Sequence, residues 1–517
     1  MQNKKKSSVK IISVIMAITL VGKLLGLVRE VIVGAVFGSV GDGAALNLAS
    51  TLPRDFLDIA FASAISGCFI PVFNSTLEKE GREKAYSMAN SFITIIIVST
   101  TVITFAAMFF SSQIAVLMGP GYPAKVQTLS GELFKITLPL IILSGAAFSL
   151  IGVLQSLGEF NIPAAMSIIS NGIIILYCLF LTPYFGVRGA AAAFLLGWVA
   201  QIIVQIPALK KINYKFRFSF DFSHGGLREI SAMMLPVMAS TWTQPINNMV
   251  NVRISTYINE SASVAYVKAN MLYSVITGVF VLSIANYVFP ELTKINARDD
   301  EKGFGETLRA VLRGLLFFLI PMTVGLFILS KPLARLIFQV GKYDEFAANL
   351  TALALSYFSL GMLGFGMQTI LSRAFYAQKN ANVPLFTGIA AVLTNACLST
   401  LLIKPLGVGG VALSSSVSFT LIAAIMLVFM YKKNKFILDI HILRDTLFII
   451  ISSLAMGIVV RVLYVNLNSI LSHGALWDIV RIGVPTVAGV LFYVLLSSFF
   501  KIQETKIIFN LLGKFRK

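Results

Sequence analysis

Charge is what this sequence most lacks. Only 13% of its 517 residues are Asp, Glu, Lys or Arg, about half the share a water-soluble chain carries. No polar stretch is long enough to make a soluble domain. The three cysteines, Cys68, Cys178 and Cys397, all lie inside apolar runs and read as small buried hydrophobes, which excludes a disulfide framework. The three histidines, His224, His441 and His473, sit in or beside loops without metal-ligand spacing. No phosphate-binding glycine loop is present, so an enzyme and a direct ATP-driven pump are both disfavoured, and no cofactor is expected. Acidic residues are scarce as well, 23 against 42 basic ones, for a net charge of +19. That excess is spread through short loops, as at Lys210–Lys211 and Lys432–Lys433, rather than gathered into a basic domain. It argues against nucleic acid and for the positive-inside pattern of membrane proteins.

Apolar runs are abundant: 57% of residues are hydrophobic and the mean hydropathy is +0.84. Runs long enough to cross about 30 Å of hydrocarbon recur from end to end. The expected spans are 9–38, 43–74, 86–111, 130–158, 162–184, 188–208, 227–257, 262–291, 306–329, 346–376, 383–403, 408–431, 444–467 and 476–500. The first run continues through Lys23, Arg29 and Glu30 without a cleavage-site pattern, so it reads as a retained helix. The bias of Lys and Arg places both termini in the cytoplasm. The class is therefore an all-α polytopic membrane protein with about fourteen helices.

An internal repeat divides the chain. Pro163 and Pro384, Gly186 and Gly407, Gly189 and Gly410, and Lys211 and Lys432 all share one offset of 221 residues. Helices four to six thus correspond to ten to twelve in the same orientation, as in transporters built from two six-helix halves. The organisation expected is an N-lobe at 1–225, a C-lobe at 226–436, and two extra helices with a tail at 437–517. Two pseudo-symmetric lobes around a central cavity imply alternating access.

Charges inside the spans mark where a polar site belongs. Span one carries Lys23, Arg29 and Glu30; span two carries Arg54, Asp55 and Asp58. At about 2.5 to 3.5 kcal/mol for each central charge, six facing lipid would cost roughly 15 to 20 kcal/mol. They must face one another, a cavity or water. These six sum to zero, and Arg54 with Asp58 at i, i+4 could simply pair. Arg253, Lys268 and Arg373 in the second half have few acidic partners at similar depth and tip the balance towards a cationic site for an anionic substrate. Arg supplies bidentate donors to phosphate; snorkelling to the interface is the alternative for Arg253 and Arg373. Span seven holds Ser240–Thr241–Trp242–Thr243–Gln244–Pro245, then Asn248 and Asn251, and reads as a kinked, cavity-lining helix. Asn395 and Thr394 could join it around a monovalent cation, though helix–helix hydrogen bonding explains them better.

Several stretches resemble the MurJ (MviN) family of lipid II flippases, in the multidrug/oligosaccharidyl-lipid/polysaccharide exporter superfamily. The resemblance runs through Leu25–Gly26–Leu27–Val28–Arg29–Glu30, Leu52–Pro53, Phe69–Ile70–Pro71, Gly119–Pro120–Gly121–Tyr122, Phe134–Lys135–Ile136–Thr137–Leu138–Pro139 and Phe160–Asn161–Ile162–Pro163. In the second half it continues through Phe289–Pro290–Glu291–Leu292 and Ile337–Phe338–Gln339–Val340–Gly341–Lys342–Tyr343. It implies fourteen helices, two lobes and an inner-to-outer leaflet cycle.

The cargo implied is an undecaprenyl-pyrophosphate-linked glycan, lipid II. The family's first-helix cations fall on Lys23 and Arg29. Its charged positions further on fall on Ala44, Leu57, Ala62 and Met271, so much of the family site is missing position by position. Arg54, Asp58 and Lys268 lie three or four residues before Leu57, Ala62 and Met271, one helical turn away. The substrate site expected is thus Lys23, Arg29, Arg54, Asp55, Asp58 and Lys268, with Gln244, Asn248, Asn251, Arg253 and Arg373 lining the cavity. The function expected is lipid II flipping in a bacterial cytoplasmic membrane. The alternatives are another anionic lipid-linked glycan, such as a teichoic-acid or capsule precursor, or a drug. Coupling would use the membrane potential or a monovalent cation. Membrane lipids are the surroundings, and a monomer associating with cell-wall machinery is the expected state.

Overall fold

The computed structural model describes residues 2–221, 223–437, 439–471 and 474–505, and no strand occurs among them. Among the described residues, fourteen long helical segments follow in order. They are α1 Gln2–Phe37, α2 42–80, α3 Arg82–Phe109, α4 Ala124–Ser156, α5 161–185, α6 187–211, α7 225–256 and α8 260–296. Then come α9 Glu301–Phe338, α10 345–377, α11 Asn382–Leu406, α12 Val408–Lys433, α13 Ile440–Ile470 and α14 Ala475–Phe499. Each expected span is matched by one segment. Eight continuous helices are long and apolar enough to cross a membrane, and two pairs bent by 41° and 49° raise the number to ten. The continuous stretch Asn161–Lys211 would be about 75 Å long, too long for one crossing. It breaks at Gly186, whose φ of 55° and ψ of −149° are a conformation essentially reserved for glycine. That break gives α5 and α6, and α1, α2 and α7 complete the fourteen.

The repeat is written into the backbone. α4 and α10 begin at Ala124 and Glu345 and end at Ser156 and Ala377, each pair 221 residues apart. α5 and α11 begin at Asn161 and Asn382. Gly407 repeats the break at Gly186, with φ 55° and ψ −135°. Nothing lies within 4 Å of the Cβ position at either glycine, so the backbone, not space, requires them. Gly158 and Lys379, again 221 apart, both have positive φ.

Two units pack separately: residues 1–264 with 340–344, and residues 265–339 with 345–517. The lobe boundary expected after residue 225 follows the repeat. By packing, α7 goes with the first unit, because it lies against α2 and the short helix Ser111–Met118. The first unit's core joins α2, α3, α4 and α6 around Phe69, Phe73 and Phe92, with Phe69 and Phe92 stacked at 4.9 Å. Within it the turn at 340–344 meets the end of α1, where Lys342 N–H donates to Ala35 O at 2.7 Å. The turn at 119–123 meets the end of α7, where Gly121 N–H donates to Thr256 Oγ1 at 3.3 Å. Ala35 and Thr256, like Gly121 and Lys342, are 221 residues apart. Burial pushes the Tyr122 hydroxyl pKa upward in this cluster, against the lowering effect of its hydrogen bond with Ser263.

The second unit packs α9, α13 and α14 around Phe317, Met456, Val460 and Tyr493. Polar side chains join α10, α11 and α12: Ser415 Oγ donates to Asn395 Oδ1 (3.1 Å), Ser416 Oγ to Tyr357 O (2.7 Å) and Ser418 Oγ to Ala391 O (2.7 Å). Without a hydrophobic drive between helices in lipid, such bonds and close packing of small residues hold a bundle together. Large apolar side chains such as Val102, Phe180, Leu393 and Leu495 point outward, a pattern that lipid as solvent explains and water does not. Cys397 is exposed on α11, so the expectation of three buried thiols holds only for Cys68 and Cys178. Cys397 lies in an apolar run, where hydropathy alone does not separate an outward-facing position from core.

Candidate functional site

The site begins with the faces of α1. Gly22, Gly26 and Arg29 follow i, i+4, i+7 and form one stripe. That stripe lies on α5: a Cβ on Gly22 would overlap Ser167 Oγ, and one on Gly26 would come 3.5 Å from Asn171 Nδ2. The two glycines let the helices approach closely enough for Arg29 to reach across. Its Nη1 donates to Asn171 Oδ1 at 2.9 Å and its Nη2 pairs with Glu30 Oε1 at 2.7 Å. The guanidinium sits 5.6 Å from the centre of the Phe194 ring, within cation–π range. Asn171 Nδ2 donates in turn to Gly22 O at 3.2 Å. The Arg29 side chain is only 11% exposed, and a charge taken so far out of solvent persists only with partners of this kind.

Beside it is a cavity of about 280 Å³ within the first unit, between α1, α4, α5 and α6. Arg29, Asn171, Ser167, Ser170, Trp198 and Gln201 give its polar lining. The larger part of the lining is apolar, from Leu140, Phe148, Ile151, Met166 and Ile174, so the cavity sets one ion-paired cation and a few polar groups against an apolar wall.

Lys23 does not share this pocket. It is exposed, and six residues of helix separate it from Arg29 by roughly 120° around the axis. Arg54, Asp55 and Asp58 lie outside the described side chains. On α7, Gln244 and Arg253 are exposed, Asn251 is fully buried, and half-buried Asn248 lines a small crevice with Leu48, Thr51 and Met118. These four therefore point to different surroundings. In the second unit Lys268 is 3% exposed, with its ammonium 5.1 Å from the centre of the Phe338 ring. Arg373 is half-buried with its guanidinium 5.6 Å from the Phe289 ring centre. Of the positions where the family's charges are replaced, Ala44 is fully buried, Ala62 is exposed and Met271 is half-buried.

Two features escaped the sequence reading. Asn171 and Phe194 lie on apolar helices far from Arg29 in sequence, and only the Gly22/Gly26 seam hinted at a partner helix. The second is a groove of about 690 Å³ inside the second unit, among α8, α9, α13 and α14, lined by Phe318, Pro321, Leu329, Val460, Val487 and Val490 and almost wholly apolar. One turn before its Phe317 end, Arg313 bridges Asp445 (2.5 Å) and Glu504 (2.6 Å), fastening α13 and the segment after α14 to α9. Such lining residues look like ordinary core in sequence.

A profile of the lipid II flippase MurJ family matches residues 33–482. This chain belongs to the MurJ family. Its relatives include a probable lipid II flippase MurJ of Buchnera aphidicola subsp. Acyrthosiphon pisum, 27% identical over 445 residues and covering 84% of this chain and 87% of the relative. Another, also described as a probable lipid II flippase MurJ, is from Thermotoga maritima, 26% identical over 487 residues, with 94% and 95% covered. A solved lipid II flippase MurJ in an inward closed conformation superposes with a TM-score of 0.79 at 25% identity, covering 96% of this chain and 99% of that one. A multidrug resistance MATE family transporter of the MOP superfamily, inward-facing, shares the fold at a TM-score of 0.71 and 15% identity, with 81% and 97% covered. The fourteen helical segments agree with what the family resemblance implies.

Proposed function

We propose that this MurJ-family chain moves lipid II, an undecaprenyl-pyrophosphate-linked glycan, from the inner to the outer leaflet by alternating access. The observation that carries the reading is Arg29. It is a cation held 11% exposed on a membrane helix beside a cavity that Asn171, Ser167, Ser170 and Gln201 also line, in a chain whose family match spans 33–482. Arg29 would engage the pyrophosphate through its planar donors. Lys23 would meet the headgroup from the exposed face, and Arg54 would add a further cation from α2. Asp55, Asp58 and the polar residues of α7 would contact sugar and peptide groups. The groove would take the prenyl tail. Its α9 wall from Phe317 to Leu333 extends roughly 24 Å at 1.5 Å per residue, most of a hydrocarbon core. Charge would set direction. The potential drives an anion out of a negative interior and drives the emptied cationic site back, at about 2.3 kcal/mol per charge per 100 mV. A monovalent cation gradient is the other source of drive.

The chain would reside in a bacterial cytoplasmic membrane with both termini inside, as a monomer near the machinery that polymerises its cargo. It would act as a transporter, not an enzyme. Neutral residues at Ala44, Ala62 and Met271 favour one second reading: a different anionic lipid-linked glycan. Complementation separates the two. In cells depleted of their own lipid II flippase, expression of this chain should restore lipid II to the outer leaflet. A well-expressed chain that restores none, yet restores export of a teichoic-acid precursor, selects the second reading.

A further inference from the structure

We propose that Asn171 is the positioning residue for Arg29: it presents the guanidinium to the cavity between α1, α4, α5 and α6. This rests on the reading of Arg29 as a contact for an anionic headgroup. Asn171 is 5% exposed and makes two bonds of opposite sense, accepting from Arg29 Nη1 at 2.9 Å and donating to Gly22 O at 3.2 Å. The second bond fixes the amide, so that its oxygen, not its nitrogen, faces the cation. Glu30 precedes α2 on the same helix as Arg29 and moves with it. Asn171 belongs to α5, and so ties Arg29 to another wall of the pocket. The Phe194 ring supports the flat guanidinium from α6. Between them these residues set where its donors point, and Arg29 and Asn171 both line the cavity into which an anion would bind.

A purely structural role would use only the bond to Gly22. Two substitutions separate the roles. Asn171→Asp keeps an acceptor for Arg29 but cannot donate to Gly22 O. Asn171→Leu keeps the volume and loses both bonds. The purified full-length protein is reconstituted in liposomes, with a fluorescent undecaprenyl-pyrophosphate disaccharide as the transported probe. Asn171→Leu should raise KM roughly ten-fold, the size of one hydrogen bond to a charged group, with a smaller change in kcat. Asn171→Asp should also raise KM, because its carboxylate repels an anionic headgroup in the same cavity, so the reactivity of Arg29 rather than KM tells the two variants apart. In an Arg29→Lys background, Asn171→Leu should add little, because the two act as a unit.

A second readout does not depend on the cargo. Phenylglyoxal modification of Arg29, followed by mass spectrometry, should be several-fold faster in Asn171→Leu and unchanged in Asn171→Asp. Arg313, buried and doubly ion-paired in the other unit, should stay protected and so reports an intact fold. Two outcomes overturn the proposal. One is equal losses in both variants, with Arg29 protected or with Arg29 and Arg313 exposed together; the other is no change in either variant. If wild type does not transport the probe, the proposed function fails, while the modification rates still decide the role of Asn171.

Discussion

α5–α6 and α11–α12 are two copies of one backbone with different interiors. Both begin at an Asn, carry a Pro two residues on, and break at a glycine of φ 55°. The first copy encloses the Arg29 cavity, with Asn171, Phe194, Trp198 and Gln201 facing it. At the same offset the second copy has Val392, Ser415, Phe419 and Ile422. There Ser415 is bonded to Asn395, Ser418 to Ala391 O, and Ile422 is fully buried. One copy keeps a cation and space beside it; the other uses its polar groups to join helices. A repeat preserves where chains bend because glycine conformations are hard to replace. It leaves side chains free to diverge, so pseudo-symmetry of fold does not imply symmetry of site.

Substitutions can break this contrast in order of expected effect. Arg29→Ala should lower flipping about 30-fold or more, consistent with loss of a charge-assisted contact worth about 2 to 3 kcal/mol, measured in reconstituted liposomes. Filling the groove by Gly325→Phe should reduce transport of a long-chain cargo roughly ten-fold. A cargo analogue with a short prenyl chain should be affected far less, and comparing the two rates checks it. Gly186→Val and Gly407→Val should each cost about 1 to 3 kcal/mol by forcing a side chain into a glycine conformation. The two losses should match, since the backbone is the same, and thermal unfolding in detergent tests that equality. Asn395→Ala should cost about 0.6 to 1.7 kcal/mol, the range for an interhelical bond in a membrane protein, with little change in flipping per folded molecule. A large fall in flipping there would show that the second copy also carries function.

The fold was legible because lipid imposes a simple rule. Spans must be long, apolar and helical, so hydropathy alone marked fourteen segments. Gly186/Gly407 and Pro163/Pro384 fixed the repeat because bends and helix starts admit few residue types. The site was legible only in its charged members. Arg29 announced itself by cost, whereas Asn171 and Phe194 are unremarkable in an apolar helix until α5 and α6 are laid on α1. Lys23 and Arg29 are grouped by the family resemblance, and helical phase separates them. Lys268 was expected in a shared cationic site, and the structure gives it an aromatic neighbour at Phe338. The groove was invisible because Leu, Val and Phe do not say which of their faces is left uncovered.

The central claim is that the Arg29 pocket serves an anionic lipid-linked headgroup. The most direct test is flipping of fluorescent lipid II by the reconstituted chain, with wild type compared against Arg29→Ala. The account predicts outer-leaflet appearance of the lipid with wild type and its near loss with Arg29→Ala, both proteins being equally folded. Equal rates for the two would contradict it.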